Sequence, residues 1–126
     1  MKANFNGFEL TSKNAQAKES AWGANKHQHH IITVKRDGKR TSFDFWQSAA
    51  HPLIDSERQL INAFACFVDD ASYGLYDIDE FFHELGYEKA SEGIRAWKGC
   101  QSAKGKLDRL YDGDIYELLN SLDDYR

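Results

Sequence analysis

The feature that most constrains this chain is the dipeptide Asp37-Gly38, which lies between two β-rich runs, His29-His-Ile-Ile-Thr-Val-Lys-Arg36 and Lys39-Arg-Thr-Ser-Phe-Asp-Phe-Trp46. A two-residue loop of this composition predicts a type I′ hairpin, because both turn positions need positive φ and Asp and Gly tolerate it. The turn then sets the register. Val34 faces Thr41, Ile32 faces Phe43 and His30 faces Phe45, six residues that share one mostly apolar sheet face. Lys35 with Arg40, Thr33 with Ser42, Ile31 with Asp44 and His29 with Trp46 make the other face, mostly polar. A slip of one residue would exchange the two faces, so turn chemistry and alternation specify the same pairing.

Upstream, Asn4-Phe-Asn-Gly-Phe-Glu-Leu10 reads as a short strand bent at Gly7. Thr11 to Lys26 is polar, Ala-rich and weakly periodic, either a loop or a poor helix. After His51-Pro52 the apolar period changes from two to about 3.6. Asp55 or Ser56 caps a helix carrying Leu60, Ile61, Phe64, Phe67 and Val68 on one side, followed by a loop over Asp69-Asp-Ala-Ser-Tyr-Gly74. Asp77 with Glu80 has the pattern of a capping box and opens a short helix through Ile78, Phe81, Phe82 and Leu85 that stops at Gly86. Ser91 starts the longest helix, to about Leu110. Its interior glycines, Gly99 and Gly105, point to close packing against a neighbour or to a break. Asp114 with Glu117 opens the last helix, striped by Ile115, Leu118, Leu119 and Leu122, and Asp123 to Arg126 reads as a polar tail. The expected fold is α+β: a small antiparallel sheet, from an N-terminal strand plus the hairpin, packed with a C-terminal helical half of about four helices.

A chain of 126 residues fits a single domain, mainly β over 1–51 and mainly α over 52–126. No apolar run approaches the ~18 residues of a membrane span. Met1 to Gly7 lacks the apolar core of a secretory signal, and two cysteines, Cys66 and Cys100, make no disulfide framework. A cytoplasmic protein is therefore expected. Net charge is −4, divided as +4 over 1–51 and −8 over 52–126. Such a dipolar surface argues against broad non-specific DNA binding, which needs a contiguous basic footprint, but leaves room for one local basic patch.

Signatures of catalysis or metal binding are missing. His29 and His30 fall on opposite faces of one strand, and His27, His51 and His83 add no ligand spacing for zinc. Neither Cys66, off the apolar side of its helix, nor Cys100, on the apolar side of its own, has the setting of a nucleophile. The acids around Asp69, Asp70, Asp77, Asp79 and Glu80 do not keep the frame of a calcium loop, and helix capping accounts for Asp77, Glu80, Asp114 and Glu117. Phosphate-binding glycine loops and the nucleophile elbow are absent as well. The expectation is a non-enzymatic protein with no cofactor and no metal.

Charge patterning supplies the candidate binding residues. Arg95, Lys98, Lys106 and Arg109 line one side of the long helix, with Ser102 between them and Trp97, Cys100, Leu107 and Tyr111 opposite. A basic helix face can hold phosphates; the plain alternative is a solvated stripe, or one paired with Glu84, Glu88 and Asp112. Lys35, Arg36, Lys39 and Arg40 at the hairpin tip form a second basic cluster, which also suits protection of a sheet edge. Glu84, Glu88, Asp112, Asp114, Glu117, Asp123 and Asp124 are the acidic candidates for a basic partner. Trp22, Trp46 and Tyr73 are candidate aromatic anchors, with core packing the equal alternative for Trp46.

The segment Phe81-Phe-His-Glu-Leu-Gly-Tyr-Glu-Lys-Ala-Ser91, followed by Arg95, Lys98, Cys100 and Lys106-Leu-Asp-Arg-Leu110, resembles a pattern in small uncharacterised bacteriophage and prophage proteins. They share a layout of hairpin, helix, a Phe-rich helix ending in Gly-Tyr, and a basic helix. The likeness covers about residues 29–119, and Ala90-Ser91 stands where an Asp-Ser pair is usual. It implies a mobile-element origin and supplies no activity. The expected function is binding of a host protein or ribonucleoprotein, in its most concrete form inhibition of a bacterial defence system of the anti-CRISPR or anti-restriction kind. A small nucleic-acid-binding module using the basic helix and the hairpin tip is the alternative.

Overall fold

Two type I′ turns organise the N-terminal half. The computed structural model describes residues 1–19, 26–48, 54–86 and 90–126. Strands β1 (Lys2–Phe5), β2 (Phe8–Glu19), β3 (Lys26–Arg36) and β4 (Lys39–Ser48) form one antiparallel sheet in the order β1-β2-β3-β4. Asp37 and Gly38 have φ of 51° and 78°, and β3 and β4 pair in the register expected from that turn, from Arg36↔Lys39 to His27↔Ser48.

The first turn corrects the sequence reading. Asn6 and Gly7 have φ of 45° and 85°, so Asn4 to Leu10 is not one bent strand but the ends of two strands and the turn between them. Asn-Gly is as strong a hairpin signal as Asp-Gly. The next segment is likewise neither loop nor helix through Glu19: β2 continues along β3, with one extra residue taken up between Ala15 and Lys18. Residues 20–25 of that segment, with Trp22, lie outside the described residues.

Helix α1 (Glu57–Tyr73) lies against the inner sheet face. Ser56 is its cap, its side chain accepting from the Gln59 amide at 3.2 Å. The stripe of Leu60, Ile61, Phe64, Phe67 and Val68 is buried, and so are Ala63, Ala65 and Ala71 on the flanks, because α1 also carries helices on its far side. The helix runs through Asp69 to Tyr73, where a loop is expected from sequence. Ser72 bonds back to the Asp69 carbonyl and Asp69 pairs with Arg126, so tertiary contacts hold a weak helical segment. Phe64 meets Phe8 at a ring-centroid distance of 4.9 Å, and Phe67 meets Phe43 at 4.3 Å. Each such ring contributes about 1.5–3 kcal/mol by burial.

Helix α2 (Ile78–Leu85) has the full capping box: the Glu80 amide donates to Asp77 Oδ1 at 2.8 Å, and the Asp77 amide to Glu80 Oε1 at 3.4 Å. Gly86 ends it with φ of 66°. Helix α3 (Ala90–Asp108) is continuous through Gly99 and Gly105. A Cβ at either would meet nothing within 4 Å, so neither the close contact nor the break suggested by sequence occurs there. The close contacts are elsewhere. A Cβ on Gly93 would sit 2.5 Å from Phe82, and one on Gly74 would sit 2.5 Å from the Cys100 carbonyl oxygen. The Gly74–Tyr76 link is thus pressed onto α3, where Trp97 Nε1–H donates to the Tyr76 carbonyl at 2.9 Å and Gln101 Nε2 to the Gly74 carbonyl at 2.6 Å. Helix α4 (Ile115–Ser121) buries Ile115, Leu118 and Leu119 behind the Asp114 cap, and Leu122 follows into the core.

The last residues are no loose tail. Asp123–Tyr125 forms a 3-10 turn, Arg58 Nη2 donates to the Asp124 carbonyl at 2.6 Å, and Asn62 donates to the Tyr125 carbonyl. Tyr125 meets Phe5 edge-on at 5.7 Å.

The four glycines should respond to alanine with opposite signs. Gly99→Ala and Gly105→Ala should each raise the unfolding free energy by about 0.5–1 kcal/mol, since helix propensity improves with no clash. Gly74→Ala and Gly93→Ala should each lower it by about 1–3 kcal/mol through overpacking. Urea midpoints at constant m-value measure both.

Candidate interaction surfaces

Alternation along the strands divides the sheet into a covered and an open face. Ala3, Phe8, Leu10, His30, Ile32, Val34 and Thr41 are buried under the helices. Their strand neighbours point the other way: Lys2 and Asn4, then Glu9, Thr11 and Lys13, then His29, Ile31, Thr33 and Lys35, then Arg40, Ser42, Asp44 and Trp46. None of these is buried, and Ile31 and Trp46 are 36% and 41% exposed. Among the described residues α1 contacts β1 and β2, and α3 contacts the edge strand β4.

On this open face His29 lies flat on Trp46, centroids 4.1 Å apart and planes within 5°, while His29 Nε2 meets Asp44 Oδ1 at 2.7 Å. Three residues on two strands thus fix a planar aromatic pair. The register of this pair is legible in sequence, but its assembly requires the side-chain geometry. His29 Nδ1 is buried without a hydrogen-bond partner. His30 faces the core, 3.3 Å from Gln28 Oε1 and 3.5 Å from Gln47 Nε2. Burial, and then the adjacent His29, pushes its pKa below 6.5.

The hairpin-tip cations separate by role. Arg36 is half-buried: its Nη1 donates to the Asn6 carbonyl at 2.8 Å, and its guanidinium stands over Phe8 at 4.6 Å and Tyr111 at 5.5 Å. It ties the two turns together and is occupied internally. Lys35, Lys39 and Arg40 are exposed and, with Glu9, Asp37 and the two turn glycines, line a concavity of about 440 Å³ at the turn end of the sheet.

Arg95 and Lys98 on α3 and Arg109 just past its end are exposed, as their spacing predicts, whereas Lys106 is half-buried. Among the described residues none of the four lies in an ion pair; the acid–base pair of this helix is Lys104 with Asp108 at 2.6 Å. Glu88 lies outside the described residues. Lys106 borders a shallow cleft of about 210 Å³ with Asp44, Asp70, Phe43 and Phe67.

The acidic candidates do not form one patch. Asp123 pairs with Arg126, which also holds Asp69, and Asp124 sits beside it at the docked C-terminal turn. Glu84, Asp112, Asp114 and Glu117 are exposed on α2 and around the start of α4. There the structure reveals residues that sequence does not single out. Leu75 and Tyr116, 46% and 52% exposed, stand over a groove of about 370 Å³ walled by Leu107, Tyr111 and Ile115 and edged by Lys104, Asp108 and Asp114. Burial first, then Tyr116, Glu84, Tyr73 and Glu80, raises the Tyr76 phenol pKa. Tyr116 stands off the Ile115-Leu118-Leu119 stripe of its helix, the only sequence signal for this groove.

Both thiols are raised. Burial, with Asp70 and Asp69, pushes Cys100 to about 11, and Cys66 rises for the same reasons. At neutral pH they are protonated and poor nucleophiles. Among the described residues no three His, Cys, Asp or Glu side chains gather as metal ligands would, and no helix is long and apolar enough to cross a membrane. His51 lies outside the described residues. No protein-family model matches the chain, and neither a curated protein nor a solved structure does so.

His30 gives a pH prediction with a definite sign. Above its ordinary value of 6.5 both folded and unfolded chains hold a neutral ring. As pH falls through that value, the unfolded chain binds a proton that the folded one resists. Stability therefore decreases until the folded ring itself titrates. Unfolding free energy should drop between about pH 7.5 and 5.5, and less steeply in His30→Leu than in the unaltered protein; equal slopes would contradict the assignment.

Proposed function

We propose that the protein works by binding a host macromolecule without catalysis, through the groove beside Leu75 and Tyr116. The observation that carries this reading is the pairing of two large, half-exposed apolar side chains with a formed groove edged by Asp108 and Asp114. Interfaces owe most of their affinity to a few buried anchors of this kind, and charges at the rim add rate and selectivity. Glu80, Glu84, Asp108, Asp114 and Glu117 suit a partner that offers lysines or arginines around an apolar anchor. The −8 charge of residues 52–126 would steer such a partner in and keep nucleic acid away from this groove.

A protein with a basic, nucleic-acid-handling groove is the partner class that fits best. In its concrete form, suggested by the likeness to small phage proteins, the host target is a defence complex of the CRISPR or restriction kind. The acidic candidates Asp123 and Asp124 have no part in this reading. The basic stripe of α3 has no exposed aromatic beside it among the described residues, so a nucleic-acid partner is better served by another surface.

Leu75→Ala with Tyr116→Ala tests the reading, because exposed truncations should change folding stability by only about 0.5 kcal/mol each. A host protein retained by the immobilised protein should be lost at least ~10-fold with the double variant, as for hot-spot residues. No retained partner, or retention unaffected by the double change, would refute it.

A further inference from the structure

We propose that the open sheet face is a second binding surface, for single-stranded nucleic acid, independent of the groove at Leu75 and Tyr116. Three observations converge on it. The first is the stacked pair. Trp46 presents an exposed indole that His29 holds flat at 4.1 Å, and Asp44 in turn holds His29 at 2.7 Å. A ring fixed this way loses little freedom when a base stacks on it. Bases of any identity can use such a platform, because each has a π-face. Ile31, 36% exposed on the neighbouring strand, widens the apolar area beside it.

The second is the position of the cations. Lys13, Lys35 and Arg40 project from the same face as Trp46, and Lys2 from its far edge. Lys35, Arg40 and Lys39 converge on the concavity of about 440 Å³ between the two hairpin turns. A Cβ on Gly38 would meet nothing within 4 Å, so a phosphate can approach the backbone at that turn. Among the described residues, none of Lys13, Lys35, Lys39 and Arg40 is in an ion pair.

The third is the distance between the two features. Arg40 and Trp46 are six residues apart on β4, about 20 Å along an extended strand. That span suits a short stretch of single strand, at the low end of the ~4–16 nucleotides that single-strand-binding folds cover. A duplex would not fit the scheme, since its bases are stacked internally and cannot reach the indole. The acids Glu9 and Asp44 on the same face keep the attraction moderate, so binding should depend on both stacking and charge.

The experiment is a titration of a labelled 12-nucleotide oligothymidylate, followed by polarisation and by quenching of tryptophan fluorescence, at 50 and 200 mM salt. The intact protein should bind at 50 mM salt, quench, and weaken markedly at 200 mM. Trp46→Ala should weaken binding about tenfold or more and remove most of the quenching. Lys35→Glu with Arg40→Glu should weaken binding and flatten the salt dependence. Leu75→Ala with Tyr116→Ala should leave it unchanged, which separates this surface from the protein-binding groove. Circular dichroism and thermal melting of each variant confirm that it folds. Absence of binding by the intact protein at 50 mM salt would overturn the proposal. So would binding that survives both sheet-face variants but is lost with Lys98→Glu on α3 and Arg109→Glu just past its end, as would a preference for duplex.

Discussion

The structure depends on a row of aromatic contacts between one helix and one sheet face. Phe64 and Phe67 of α1 press on Phe8 and Phe43, from β2 and β4, and the remaining elements are arranged around that layer. Because α1 is buried on nearly every side, it serves two interfaces at once, the sheet on one flank and α3 and α4 on the other. A sheet covered on only one side keeps its other side in solvent, and that face can be charged, aromatic and available for binding. Exposure of Trp46 and burial of Ile32 are thus consequences of one packing choice.

The same choice separates the charges. The N-terminal half supplies the open sheet face with lysines and an arginine, and the helical half presents carboxylates around an apolar groove. Arg36 links the two halves, joining both hairpin turns to Tyr111 at the end of the α3 region. Two surfaces of opposite character on a small body allow two partners of opposite charge, or one partner made of both protein and nucleic acid. Raised thiol pKa values keep the exposed Cys66 and the half-buried Cys100 protonated at neutral pH.

Much of this fold can be read locally. Asp37-Gly38 sets the register of ten residue pairs, and Asp77 with Glu80 closes a capping box, because turn and cap chemistry act within a few residues. Asn6-Gly7 carries the same information but follows a strand of only 4 residues, and unless it is read as a turn the start of β2 merges with β1 and the rest reads as a loop. The extra residue between Ala15 and Lys18 further blurs the alternation on which strand recognition depends. Glycine roles are illegible from spacing: Gly99 and Gly105 face open space, whereas Gly74 and Gly93 are pinched by residues distant in sequence. The binding surfaces show the same division. Exposure of Arg95, Lys98 and Arg109 follows from helical period, but the internal capture of Arg36 and the groove under Tyr116 come from tertiary contacts.

Native-state hydrogen exchange on the unaltered protein and on Phe64→Leu tests the central claim most directly. If the aromatic layer unites sheet and helices, the amides of Ile32 and Val34 in β3 and of Phe67 and Val68 in α1 should open with one common free energy. The substitution should then lower all of them by the same amount, about 1–2 kcal/mol. Protection of β3 that persists while α1 alone loosens would contradict it, and would mean that the sheet stands without the layer on which this account rests.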